Sequence, residues 1–374
     1  MQPVNHSSLY NTDTTAPGNI ARSIRSIYSV IARASILGTL IFSASLGVPT
    51  ESRAADDATV IMYHRFGEDR YPSTSVKLDL FEEHLATIAE NNWEVLPLAE
   101  VVRRLQNDEE LPDKVLAISV DDAFLSVYTE AFPRFKQYGF PFTLFIATES
   151  IDQNLPGYAN WDQIREMHDS GLVDIGSQSH THPRMQRISF SEARQEIERS
   201  NMRFMEELGE RPTLFAYPFG EYSVEVRDLV RDSGFVAAFG QQSGIVHKSI
   251  HNYEWPRFSF SDLYGSTDRL KRAVHGLPIP ITAVVHEEMV METNPPVSGF
   301  TVADDIEPMS QINCYASGVK GAVKPEINGR QVLVTLPKPF TQHSNRVTCT
   351  MPEVNSQGRN TGRWRWFGRQ FIIR

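Results

Sequence analysis

The strongest constraint on the fold is an alternation of short apolar strands with amphipathic helices, sustained from residue 58 to residue 239. Residues 58–64, 115–118, 142–147, 173–176, 214–217 and 236–239 read as strands, with a shorter one at 94–97. Between them, 80–91, 98–106, 128–138, 161–170, 191–208 and 224–233 carry helical periodicity, and Gly139 and Gly171 supply stops. The segment from Phe142 to Ala147 is almost continuously apolar, as a strand buried on both faces requires. This alternation predicts an α/β fold with a parallel core, either barrel-like or doubly wound. In the barrel form the strand carboxyl ends share one rim, where chemistry is placed.

The pattern changes after about residue 277. Pro278, Pro280, Pro295 and Pro296 punctuate a stretch read as linker, 278–299. The strand candidates beyond it have no helices between them: 312–316, 331–336, 346–349, 363–367 and 371–373. They predict a small, antiparallel, sandwich-like module over 300–374. Trp364 and Trp366 share one face of it by alternation, which suits a sheet core or domain interface better than a sugar-stacking surface. The α/β domain is expected over 55–277. Residues 1–54 read as a signal peptide with a long preceding segment: Arg22, Arg25 and Arg33 precede an apolar run from Ala34 to Val48, and Ser52-Arg-Ala54 offers small residues to a signal peptidase. The expected protein is therefore exported, periplasmic or secreted, and bacterial. Export permits Cys314 and Cys349, the only two cysteines, to pair. A chain of 374 residues with 41% hydrophobic content can bury a large core, and its net charge of -10 argues against a nucleic-acid surface.

Three constellations follow predicted strands. Asp121 and Asp122 end the strand that begins at Val115, which places paired carboxylates on the rim. The segment Gly176-Ser-Gln-Ser-His-Thr-His182 brings Gln178, His180 and His182 within five residues, and imidazoles near a carboxylate suit a divalent metal. Tyr217-Pro-Phe-Gly220 is a rigid turn able to aim a backbone N–H at a developing oxyanion.

In order and spacing these pieces, with Met62-Tyr-His64, Trp161 and Gly171, resemble the polysaccharide deacetylases, metal-dependent carbohydrate esterases with a chitooligosaccharide-deacetylase-type domain. The likeness spans roughly residues 58–275, and its Tyr-Pro-Phe-Gly form resembles exported poly-N-acetylglucosamine deacetylases. The resemblance implies a distorted, incomplete (β/α)7 barrel that removes N- or O-acetyl groups from a glycan, with water activated by a divalent metal, zinc foremost, and by Asp121. It implies Asp121 as general base, Asp122 and His182 as metal ligands, and the Phe219 N–H as an oxyanion donor. His64, Tyr217 and Arg257 are candidate substrate contacts, and Arg257 could instead orient an acid.

The chain also departs from the pattern. Gln178 stands where the first ligand histidine belongs, with His180 nearby as a substitute; this weakens the expected metal site. Ala216 replaces the arginine that orients the base, Ala123 stands where glycine is usual, and the late histidine acid has only regional candidates in His247, His251 and His275. The expected partner is an acetylated polysaccharide or oligosaccharide in the cell envelope. The competing reading is a catalytically silent glycan-binding or envelope-assembly protein on the same fold.

Overall fold

The computed structural model describes residues 55–374, so the expected signal segment lies outside the described residues. Strands β1 (Asp57–Tyr63), β2 (Leu116–Asp121), β3 (Phe142–Ile146), β4 (Val173–Ser177), β5 (Leu214–Ala216), β6 (Ala237–Phe239), β7 (Val246–His247) and β8 (Phe258–Ser259) form one sheet. Its order is β8-β1-β2-β3-β4-β5-β6, with all pairings along that path parallel, and β7 pairs antiparallel with β1. The far edges approach each other where Phe239 bridges Trp255, just before β8. The sheet is thus a curled, incomplete seven-strand half-barrel.

β2 and β3 are buried along their whole length, which explains their unbroken apolar runs. Gly176 is the exception in β4: a Cβ there would lie 2.3 Å from the Phe145 ring, so the strand accepts only glycine without moving an aromatic core residue. Helices cover the outside. Ser189 with Glu192, and Asn160 with Gln163, close reciprocal N-terminal caps on helices Phe190–Leu208 and Trp161–Asp169.

Two local expectations change. The strand expected at 94–97 is a single parallel bridge, Val95 to Leu116. The helix expected over 128–138 begins as a wide π turn, Val127–Ala131, and becomes α-helical only from Phe132. Pro133 sits at that change, because it has no N–H to bond backward but fits a helix's first turn.

Apart from a two-stranded pair, Arg65–Phe66 with Ser75–Val76, the other strands are β9 (Leu277–Pro278), β10 (Ile281–Val284), β11 (Ser298–Val302), β12 (Asn313–Ala316), β13 (Glu326–Asn328), β14 (Gln331–Val334), β15 (Ser344–Val354) and β16 (Asn360–Ile372). They make two four-stranded sheets, β9-β16-β15-β12 and β10-β11-β14-β13. Phe300, Val332, Val334, Val347, Met351, Phe367 and Phe371 belong to one apolar core fed by both sheets. Part of the stretch expected as linker is therefore strand. Cys314 and Cys349 lie opposite each other on β12 and β15 and form a disulfide. Trp366 packs edge-on against Phe258 of the half-barrel at 5.5 Å, while Trp364 stays 41% exposed. No helix among the described residues is long and apolar enough to cross a membrane.

Candidate functional site

β2 delivers Asp121 fully buried at its end, and the next two residues turn sharply. Asp122 has φ 75° and Ala123 φ 50°, both in the left-handed region that L side chains avoid at a cost of about 1–2 kcal/mol each. The turn is held from both sides: the Asp122 N–H donates to Phe145 O, and Ala123 O accepts from the Ala159 N–H. The twist separates the two carboxylates. Asp121 faces inward, whereas the Asp122 side chain keeps 20% exposure.

Asp121 is gripped by Arg257. The guanidinium donates to Oδ1 at 2.7 Å and to Oδ2 at 2.9 Å, and neither side chain has solvent exposure. Arg257 also donates to Gly240 O and Ser119 Oγ, so its plane is fixed. Such a buried forked pair holds a carboxylate in one orientation. Arg257, expected either to touch substrate or to orient an acid, is fully buried with its nitrogens on the Asp121 carboxylate. The arginine that grips Asp121 thus comes from residue 257, across the half-barrel, and not from position 216, where Ala216 stands.

His64, at the end of β1, places Nε2 4.0 Å from Asp121 Oδ2, with 12% of its side chain exposed. His182 has φ 56° and places Nε2 3.5 Å from Asp122 Oδ1. Burial pushes the His182 pKa down, against the pull of Asp122 and Asp121. The Phe219 ring packs against the His182 ring at 4.6 Å, and Phe219 itself has φ 60° in the turn after β5. Gly220, with φ 69°, follows it; a Cβ there would strike Gln241 at 2.6 Å. Tyr217 is fully buried, with its hydroxyl donating to Tyr253 O, so the substrate contact expected of it is not made from this position.

Gln178 and His180 behave differently. Gln178 is buried at the end of β4, and its Oε1 has no hydrogen-bond partner. The His180 ring is engaged through Nδ1 with the Thr148 hydroxyl at 2.8 Å. Its backbone N–H, with the N–H and hydroxyl of Thr181, donates to the carboxylate of Glu196. Glu196 escaped the sequence reading. Its signal was present, since it lies on the buried face of helix Phe190–Leu208 with Ala193, Ile197 and Ser200. His247 is held by Ser249 and Asp56, and His275 packs on Trp93.

Among the described residues, no three His, Cys, Asp or Glu side chains gather to hold a metal ion. The donors present are one carboxylate, Asp122, and one imidazole, His182. The unpartnered amide oxygen of Gln178 is buried at the neighbouring strand end. The donor types of that set fit a divalent cation bound through oxygen and nitrogen, and fit zinc less well than a set with a second imidazole.

Residues 108–238 match the family model described as polysaccharide deacetylase. A poly-beta-1,6-N-acetyl-D-glucosamine N-deacetylase of Staphylococcus epidermidis is 24% identical over 208 residues, covering 52% of this chain and 71% of that protein. Among solved structures, the Streptococcus pyogenes deacetylase PplD in complex with acetate superposes with a TM-score of 0.55 at 21% identity, over 58% of this chain and 98% of its own. IcaB from Ammonifex degensii gives 0.53 at 22% identity, over 59% and 97%. Residues 108–238 are thus similar to the polysaccharide deacetylases, and the solved structures share the fold.

Proposed function

We propose that this protein hydrolyses acetyl groups from a glycan, using the rim of the half-barrel as its active site. The observation that carries the reading is the division of labour between two adjacent acids. Asp121 is locked by Arg257 and faces His64, while Asp122 turns outward to His182. Asp122, His182 and the Gln178 oxygen would hold a divalent cation, whose chemistry is to polarise the acetyl carbonyl and acidify water. Asp121 accepts a proton from the attacking water, whose oxygen bonds to the acetyl carbon. The Phe219 N–H steadies the oxyanion from the turn after β5. The C–N or C–O bond then breaks, and His64, the imidazole facing Asp121, hands a proton to the departing nitrogen or oxygen. Arg257 keeps the base aimed throughout. The likeness to glycan deacetylases supports the substrate class, and the expected export signal supports an envelope location.

Acetate release from N- and O-acetylated oligosaccharides, with a series of divalent ions added, tests the proposal. Release that vanishes in Asp121→Asn supports it. No release from any such substrate with any ion sinks it. One observation favours a second reading, a silent glycan-binding protein: among the described residues no three His, Cys, Asp or Glu side chains gather to hold a metal. Glycan binding indifferent to chelator and to Asp121→Asn would then be the result.

A further inference from the structure

A buried carboxylate that the proposed mechanism leaves unused stands where the β module meets the rim. Glu221 directly follows the turn Pro218–Gly220 and is 1% exposed. Its Oε2 accepts from Gln186 Nε2 at 2.8 Å and pairs with Arg184, both from the loop after β4. The third partner comes from the module: His343, just before β15, brings Nε2 to the same oxygen at 3.1 Å. The position of the His343 proton follows from its other neighbour. Arg187 reaches Nδ1 at 2.8 Å, and a guanidinium only donates, so Nδ1 accepts and the proton sits on Nε2, facing Glu221.

From Glu221 the contacts run on into the site. Arg184 lays its guanidinium over the Phe219 ring, 4.1 Å from the centroid. That ring packs at 4.6 Å on the ring of His182, the imidazole beside Asp122. Burial does not hold Phe219, since the residue is 39% exposed, and its φ of 60° is a conformation that an L residue does not keep unaided. The Gly220 N–H donates to Tyr217 O at 2.7 Å, which closes the backbone of the turn but does not set the Phe219 side chain. One linkage therefore runs from His343 of the module, through Glu221, Arg184 and Phe219, to His182 of the half-barrel. The module does not depend on His343 to stay docked, because Trp366 packs on Phe258 and Arg363 pairs with Asp113.

We propose that the β module is a working part of the catalytic rim: His343, acting through Glu221 and Arg184, is a positioning residue that keeps Phe219 on His182. The linkage sets two things at once. It fixes the His182 ring against Asp122, and it fixes the turn whose Phe219 N–H is aimed at the oxyanion. Without the module's imidazole the half-barrel has the same reacting groups and holds two of them less firmly. This rests on the reading of the rim as a site of acetyl hydrolysis.

Acetate release from an N-acetylglucosamine tetrasaccharide with divalent ion added, and the imidazole NMR signals of His182, test the linkage on the full chain. His343→Phe keeps a ring and loses both hydrogen bonds. It should lower kcat by about ten- to a hundredfold, the cost of a small misplacement, and leave KM nearly unchanged. His343→Gln should restore most of kcat, because an amide accepts from Arg187 and donates to Glu221. Adding His343→Phe to Arg184→Gln should lower kcat no further than Arg184→Gln alone, since both act along one path. The His182 signals should move in His343→Phe and return in His343→Gln. Wild-type kcat in His343→Phe overturns the proposal, as do additive losses in the double variant or His182 signals that ignore position 343. A wild type that releases no acetate from any acetylated oligosaccharide, while its His182 signals follow the variants, removes the hydrolysis reading and keeps the link between module and rim.

Discussion

At the scale of single residues, two features mark the candidate site: the buried Arg257–Asp121 pair and the unpartnered Gln178 oxygen. Arg257 and Asp121 are 136 residues apart in sequence and have no exposure where they meet. Removing one partner of such a pair strands the other charge in the core. Arg257→Gln should therefore destabilise the fold by about 3–5 kcal/mol and abolish acetate release. Denaturant unfolding reads the first effect, and a loss below about 1 kcal/mol would be incompatible with a buried charge pair. Gln178 gives the second prediction. Gln178→His replaces an unpartnered amide oxygen with imidazole, and zinc affinity should rise on the order of tenfold or more. Calorimetry against a competing chelator would detect it; unchanged affinity would remove position 178 from the donor set. The two acids and His182 were legible in sequence because strand ends and short spacings are local. That the acid met by Arg257 is Asp121 was not, because nothing local links residue 257 to residue 121.

At the scale of elements, the strands that deliver the site follow their apolar runs closely, and the departures have local causes. Pro133 delays the α-helix by a turn, and the 94–97 segment is reduced to one bridge on β2. The loop after β4 is shaped by a helix rather than by its own sequence, since Glu196 collects two backbone N–H groups and a hydroxyl from residues 180 and 181. That contact, with Thr148 on the ring, leaves His182 as the imidazole beside Asp122. In the module, the disulfide joins β12 to β15 across a sequence separation of 35. A crosslink closing a loop of that size stabilises by about 3–4 kcal/mol in the chain-entropy account. A Cys314→Ser, Cys349→Ser protein should melt several degrees lower than wild type, and added reductant should lower the wild-type Tm to match. A reductant-insensitive Tm would show that the bond adds nothing to the module's stability.

At the scale of the whole molecule, the half-barrel and the β module share a polar seam. Arg363 of β16 pairs with Asp113 at 2.9 Å, Arg227 of the half-barrel pairs with Glu287 at 3.1 Å, and Arg369 approaches Glu254 at 3.6 Å. Gly368 runs so close to Ser243 that a Cβ would fall 2.1 Å from its carbonyl oxygen. Asp57, at the start of β1, is raised from 3.8 to about 7 by burial, with Asp56 and Asp113 adding to the shift and Arg363 opposing it. The sign follows from proton counts. Between about pH 4 and pH 7 the unfolded chain has lost the Asp57 proton while the folded chain retains it, so stability contributed by this group falls as pH rises through that window. Melting curves from pH 4 to pH 8 should show Asp57→Asn gaining on wild type toward the upper end. Parallel Tm profiles for the two proteins would contradict an Asp57 held protonated by the fold.

The sequence alone determined what depends on neighbours along the chain. The alternation of strand and helix, the rim position of Asp121 and Asp122, the turn at Tyr217–Gly220 and the change to an all-β pattern are written in periodicities of two and 3.6 residues and in proline and glycine punctuation. Tertiary structure decided what depends on distant segments meeting. It brought Arg257 to Asp121, left the Gln178 oxygen without a partner, and occupied His180 with Thr148. Those meetings follow from how a curled sheet closes and how a second domain packs on it, and no local period in the chain encodes either.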